Sequence, residues 1–203
     1  MTKLMPAYAD LIPWYGFAVV WAISSLRVKR AKAWEASTDR ITTITAMTFV
    51  FLLLFYDLQW MGPLRNRFAP FTNWMAWTGV VLTWAGIAVA IWARSCIGQY
   101  WSARVTLKED HQLIRTGPYR FVRHPIYSGM LLGVIGRALT LGTWSGVLAI
   151  AIILVAHWRK ALREESMLTR EFGQEYSRYR RSTGFLFPRL IRAPGMDTRS
   201  GDS

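Results

Sequence analysis

Apolar residues fall along this chain in four long blocks rather than in short alternating runs. Leu11–Leu26 carries no charge over 16 residues, and Tyr8–Asp10 can lengthen it at its N-terminal end. Ile41–Tyr56 is a second uncharged block of 16, extendable past Asp57 to Trp60. Trp74–Ala93 runs for 20 residues, the length a helix needs to cross about 30 Å of hydrocarbon. The last block, Ile126–Ala156, has 31 residues broken only by Arg137. As one helix it would reach about 46 Å, well over a bilayer. Within it, Thr140-Leu141-Gly142-Thr143 offers a Gly to end one helix and a Thr to cap the next. The pattern therefore predicts two short helices there, Ile126–Leu139 and Thr143–His157. The fold class expected is all-α, a polytopic membrane protein with five transmembrane helices.

Past His157 the period changes. Trp158, Leu162, Leu168, Phe172, Tyr176 and Tyr179 recur at three- and four-residue steps, which predicts an amphipathic helix, bent at Gly173. No internal repeat is visible, and Ala193–Ser203 reads as a disordered tail. The chain thus divides into three N-terminal spans (1–93), a region able to carry chemistry (94–192, with the hairpin at 126–157) and the tail (193–203).

Composition sharpens this picture. The 203 residues include 25 Lys+Arg against 12 Asp+Glu, a net charge of +13, yet 52% are apolar and eleven are Trp. Such a chain is neither disordered nor a disulfide scaffold, since Cys96 is alone. The cations cluster in alternate loops: 21 of the 25 lie in 27–40, 94–125 and the segment from Trp158 onward. By the positive-inside rule the N-terminus is expected outside and the C-terminus in the cytoplasm. The basic charge then reads as topology, with no nucleic-acid partner. The first span is not read as a cleavable signal, because its cations follow the apolar run. Asp57 and Arg137 lie near predicted outer interfaces, so both are expected to snorkel to the headgroups.

Chemistry is expected on the cytoplasmic side, where 94–125 and 158–190 flank the short hairpin. In the first piece, Gly117-Pro118 makes a turn and Pro125 suits the first position of the next helix. That helix N-terminus, beside Arg123 and His124, is a ready anion site. Tyr119 and Tyr127 offer aromatic faces to a ring or a cation. In the second piece, periodicity places Glu165 on the apolar stripe, where a carboxylate needs a partner or a cationic ligand. Glu164 lies one residue round, with Lys160 four residues before it; a plain solvated ion pair is the alternative. His111, His124 and His157 show no metal-ligand spacing.

Taken together, Leu113-Ile-Arg-Thr-Gly-Pro-Tyr119, Arg123-His-Pro-Ile-Tyr-Ser-Gly129, the apolar hairpin, Glu164-Glu165 and Phe172-Gly-Gln-Glu-Tyr176 resemble the isoprenylcysteine carboxyl methyltransferase family and its phospholipid methyltransferase relatives. The likeness covers residues 94–190. It implies an S-adenosylmethionine pocket on the cytoplasmic side, roofed by the 94–125 segment and the helix after the hairpin. The cofactor contacts it implies are His111, Gln112, Leu113, Ile114, Tyr119, His124, Pro125, Ile126, Tyr127 and Glu164. Periodicity favours Glu165 over Glu164 for that role; the family match favours Glu164. The prenylcysteine enzymes have an Arg four residues before this Glu to hold the substrate carboxylate, whereas this chain has Lys160. Lys neutralises a carboxylate but cannot grip it as a fork, and Arg159 or Arg163 is near enough to take part.

The activity these readings imply is methyl transfer to a lipophilic acceptor held in the bilayer. Carboxyl O-methylation of an isoprenylcysteine-like or other lipid acid leads, with Lys160, Arg163 and Glu165 as the candidate catalytic side chains. N-methylation of a phosphatidylethanolamine-like lipid is the alternative; an ammonium must first lose a proton, so it requires a base such as Glu165 or Tyr119. An NADPH-dependent membrane reductase shares the Arg-His-Pro-x-Tyr string but matches less of the remainder. A scaffold without turnover is the non-enzymatic reading.

Overall fold

The computed structural model describes residues 4–25, 37–56, 59–98 and 113–189. Five helices make up most of it: α1 (Leu4–Ser25), α2 (Ser37–Phe55), α3 (Asn73–Ile97), α4 (Pro125–Leu141) and α5 (Trp144–Ser182). Among the described residues the only β pairing is two isolated bridges. Each helix covers one of the expected apolar segments to within a residue at its ends, so the all-α fold class stands. Two of the five, α3 and α5, are long and apolar enough to cross a membrane by length and composition. The expected tail, 193–203, lies outside the described residues, as does Asp57.

Helix ends follow local chemistry. Gly142 closes α4 in the left-handed conformation (φ 64°), its amide bonding back to Ala138 O, as a side-chain-free residue does without strain. Thr143 is the N-cap of α5, but its hydroxyl pairs with Ser145 Oγ at 2.8 Å instead of the helix amides. The span expected to end at His157 and the amphipathic helix expected from Trp158 are not separate elements. No Gly or Pro lies between Trp158 and Phe172, so span and amphipathic segment join in one element of 39 residues that is helical without interruption as far as Phe172. Its single kink is at Gly173 (φ 51°), where the sequence placed it.

Packing between α3 and α4 is set by glycine. A Cβ on Gly136 would stand 2.5 Å from Gly79 O, and one on Gly129 2.5 Å from Gly86 O. Only hydrogen fits there, so the backbones touch along a small-residue seam, the device that joins helices where water supplies no driving force. By sequence spacing, Gly129, Gly133 and Gly136 allow close helix packing in the α4–α5 hairpin. Gly129 and Gly136 abut α3 instead, and a Cβ on Gly133 would meet Ile87 and Trp14. A separate cluster of Leu53, Leu54, Val134, Ala149 and Ile153 joins α2, α4 and α5.

Arg137 does not snorkel. It is 7% exposed, and its Nη1 donates to Asp10 Oδ2 of α1 at 2.9 Å while Nε donates to Leu54 O at 3.2 Å. The Phe55 ring covers the guanidinium at 5.1 Å. An inward-facing arginine with a carboxylate, a carbonyl and a ring around it has no need of the headgroups. Asp10 is wholly buried, so this pair ties α1, α2 and α4 together far from the charged end of the bundle.

Candidate active site at the α4–α5 end

The polypeptide reaches the charged end through a 3-10 turn, Gly117–Arg120, whose Gly117 has φ 58° and whose Pro118 is buried. Pro125 then opens α4, with His124 as its N-cap. Both features follow the sequence expectation. The turn is held by the last part of α5, since Tyr179 Oη donates to Tyr119 O at 2.7 Å.

Two neighbouring carboxylates of α5 meet this turn differently. Glu164 receives the Tyr127 hydroxyl on Oε1 at 2.5 Å, and its Oε2 stands 3.4 Å from His124 Nδ1. Its side chain keeps 23% exposure. Glu165 is buried, as the apolar stripe predicted, and has the partner such a position requires. Arg123 Nε donates to its Oε1 at 2.5 Å, and His124 Nε2 lies 3.5 Å from the same oxygen. The Arg123 guanidinium also donates to Thr183 O at 2.6 Å and Arg180 O at 3.1 Å. His124 therefore stands between two carboxylates, one partly exposed and one buried.

Aromatic rings wall the site. Tyr127 stacks on His124 (centroids 5.6 Å apart) and on His157 (4.7 Å). Lys160 is buried, its Nζ 5.6 Å from the Tyr127 ring centroid. This is not the solvated pair that Lys160 and Glu164 would form on an exposed face. The ammonium is withdrawn from water, where it interacts strongly with anions.

Burial sets the protonation states and the neighbours reverse it. Desolvation alone would lower the His124 pKa, but the hydrogen bonds and charges of Glu164 and Glu165 hold it above the ordinary 6.5. Desolvation alone would raise Glu164; His124, Lys160 and Tyr127 hold it below 4.5. Glu165 is held at about 2 against its own burial, by His124 and Arg123. Tyr119 moves the other way, pushed up by burial and then by the Glu164 charge, so its phenol keeps its proton at neutral pH. A raised imidazolium stabilises the fold below pH 6.5 and ceases to do so as pH rises through its folded value. The lowered carboxylates stabilise above 4.5, and Glu165 loses that contribution between 4.5 and about 2. Melting temperature in detergent is accordingly expected to peak at mildly acid to neutral pH and to fall on both sides. In His124→Gln the alkaline fall should be reduced. A flat profile from pH 4 to 9 would contradict the cluster.

The remaining sequence candidates are distributed around it. Leu113 and Ile114 are half-buried, and Ile114 packs with Ala93, Tyr119 and Ile126. Tyr119 is buried in that cluster, with little of its ring exposed. Pro125 and Ile126 lie in the first turn of α4, and Arg163 is half-buried on α5. His111 and Gln112 lie outside the described residues. Sequence reasoning missed Arg123 as the partner of Glu165, and His157 and Lys160 as neighbours of Tyr127. The i, i+3 spacing of His157 and Lys160, ending four residues before Glu164, was the available signal.

A helical bundle with long apolar helices and a buried charged cluster at one end is the class that fold and site define. The chain belongs to the phospholipid methyltransferase family, whose profile matches residues 74–175, from α3 through both carboxylates. It is 26% identical over 154 residues to the cobalt-zinc-cadmium resistance protein CzcN of Cupriavidus metallidurans, covering 75% of this chain and 64% of that one. It is 33% identical over 87 residues to the protein-S-isoprenylcysteine O-methyltransferase of Schizosaccharomyces pombe, covering 41% and 37%. The chain thus spans between about one third and two thirds of the length of these relatives. Among solved structures, the eukaryotic intramembrane Ras methyltransferase ICMT superposes with a TM-score of 0.50 at 21% identity, over 89% of this chain and 67% of the other. That likeness establishes the shared fold.

Proposed function

We propose that the protein is an integral membrane methyltransferase that binds S-adenosylmethionine at the Glu164–His124–Tyr127 cluster and acts on an anionic, lipophilic acceptor. The single observation behind this reading is the asymmetry of the carboxylates: Glu165 is closed by Arg123, while Glu164 is oriented by Tyr127 and His124 yet still open. A half-open carboxylate beside aromatic rings suits a ligand carrying sulfonium and ammonium charge. The nearby N-terminus of α4 and the His124 imidazolium suit its carboxylate. When bound, S-adenosylmethionine supplies a methyl group already activated on sulfur. The protein's part is alignment and exclusion of water: Glu164 fixes the donor, the His124–Tyr127–His157 stack keeps the pocket dry, and Lys160, with Arg163 further along α5, holds the acceptor's negative head.

An amine acceptor fits less well. It must give up a proton, and both candidate bases are unsuited, because Glu165 is held at about 2 and Tyr119 stays protonated. Glu165 is accordingly assigned to the scaffold of the site and not to proton transfer. Membrane residence is supported by exposed apolar stripes. Met5, Tyr8, Ile12, Tyr15, Val19 and Ile23 follow one face of α1, each more than half exposed, and Trp74, Trp77, Val81, Trp84 and Trp92 follow one face of α3. Water-soluble proteins rarely leave such surfaces uncovered. Five crossings with the site on the cytoplasmic side accord with the distribution of Lys and Arg.

Calorimetry on purified protein in detergent tests the donor, with S-adenosylmethionine, S-adenosylhomocysteine and NADPH as ligands. Micromolar binding of the first two is expected. Binding of NADPH alone by folded protein would replace the reading with a reductase. Transfer of labelled methyl to a farnesylcysteine derivative, another isoprenoid acid or phosphatidylethanolamine vesicles then ranks the acceptors, with the acids expected ahead of the amine.

A further inference from the structure

Beyond Ser182 the chain turns back and runs against the turn that carries His124. Gly184 and Val122 form a parallel bridge. Gly184 N donates to Phe121 O at 3.0 Å, Arg123 N to Gly184 O at 2.9 Å and His124 N to Phe185 O at 3.3 Å. Ser128 Oγ, in the first turn of α4, donates to Leu186 O at 2.5 Å. The Phe185 ring then contacts three side chains of the site. It lies edge-on to His124 at 5.2 Å and to Trp158 at 4.7 Å, and the Arg123 guanidinium covers it at 5.5 Å. Gly184 has no room for a side chain, since a Cβ there would collide with the Phe187 carbonyl. The family profile ends at residue 175, so nothing in it assigns this strap a role.

We propose that the strap 183–187 is the positioning element of the site: its carbonyls fix the backbone of Arg123 and His124, and Phe185 fixes the imidazole between Glu164 and Glu165. The His124 ring is flanked by Tyr127 on α4, by the two carboxylates of α5 with His157 and Lys160 further along that helix, and by Arg123 next to it in sequence. These neighbours attract or repel the ring; among the described residues the aromatic rings packed against it are Tyr127 and Phe185. Without Phe185 the imidazole can turn away from one carboxylate, and Arg123 loses the ring that covers it. Phe185 acts through His124 and Arg123, so it is a positioning residue and not a catalytic one.

The inference rests on the donor site proposed above for one of its two readouts. The other is independent of it: the titration of His124, followed by NMR of 15N-histidine protein in detergent. Only three histidines are present, and His124→Gln assigns the signal. In Phe185→Ala and Gly184→Ala the His124 midpoint is expected to fall by about one pH unit as contact with one carboxylate is lost. S-adenosylhomocysteine affinity is expected to fall about tenfold, and Phe185→Tyr should restore both. Where alanine lowers folding too far, Phe185→Leu keeps the apolar bulk and is read in the same way. A strap that merely stabilised the fold would lower the melting temperature while leaving the His124 midpoint and the affinity at wild-type values; that result overturns the inference. Should wild-type protein bind no S-adenosylhomocysteine, the donor reading fails and the His124 midpoint alone decides the strap.

Discussion

Replacing Glu164 with Gln is expected to weaken S-adenosylmethionine binding by roughly 10- to 150-fold, the equivalent of about 1.5–3 kcal/mol for a hydrogen bond to a charged group. The amide preserves shape and can still accept the Tyr127 hydroxyl, so the fold should survive. What disappears is the negative charge on the more open of the two carboxylates. Glu165→Gln is the informative contrast. Its carboxylate is closed by Arg123 and Arg180 (3.6 Å), so its loss leaves buried Arg123 uncompensated, and the damage should appear in melting temperature rather than in donor affinity per folded molecule. Calorimetry and thermal unfolding of both variants separate the two roles. A Glu165 variant that lost donor binding at full stability, with a Glu164 variant unaffected, would exchange the assignments.

Arg137→Ala is expected to destabilise the bundle by about 3–5 kcal/mol, the usual result of removing one partner from a buried ion pair. The cost arises from Asp10, left without its cation in a wholly buried position. Asp10→Asn should cost less, because an amide bears no charge and Arg137 keeps its bonds to Leu54 O and the Phe55 ring. The double variant Asp10→Leu/Arg137→Leu should recover most of the loss, since apolar replacements of buried ion pairs are often neutral or better. Denaturant or thermal unfolding in detergent measures the series. An Arg137→Ala protein as stable as wild type would mean that Asp10 is solvated and the pair is not closed.

Local features were legible in the sequence and tertiary ones were not. Gly142 ends α4, Pro125 starts it, Gly173 bends α5 and Gly117-Pro118 turns, because each is decided by the backbone preferences of one or two residues. Glu165 was also legible in part: its place on the apolar stripe required a partner, though not which one. Arg123 is 42 residues away and Asp10 is 127 residues from Arg137, and no periodicity connects residues so far apart. The same limit explains the glycines. Their spacing announced a close helix contact, but only the fold identified α3 as the helix in contact. Arg137 was assigned to the headgroups from its depth alone, and depth does not show whether a side chain faces lipid or a neighbouring helix. The strap went unnoticed because Thr183-Gly184-Phe185 has neither apolar period nor charge pattern; its role rests on main-chain bonds.

The unbroken run of α5 from its apolar part into the charged cluster fixes a depth. At about 1.5 Å per residue, Glu164 stands roughly 10 Å along the axis from His157, the last residue of the expected span. If the chain acts on a membrane-borne acceptor as proposed, a rigid rod of that kind works as a gauge that holds the acceptor's reacting end at a constant height above the hydrocarbon. On the proposed reading, molecules compete according to the distance between their greasy tail and their reactive atom as much as by the chemistry of either. A tail joined directly to its head reaches the gauge mark while anchored. One with a long polar spacer overshoots it.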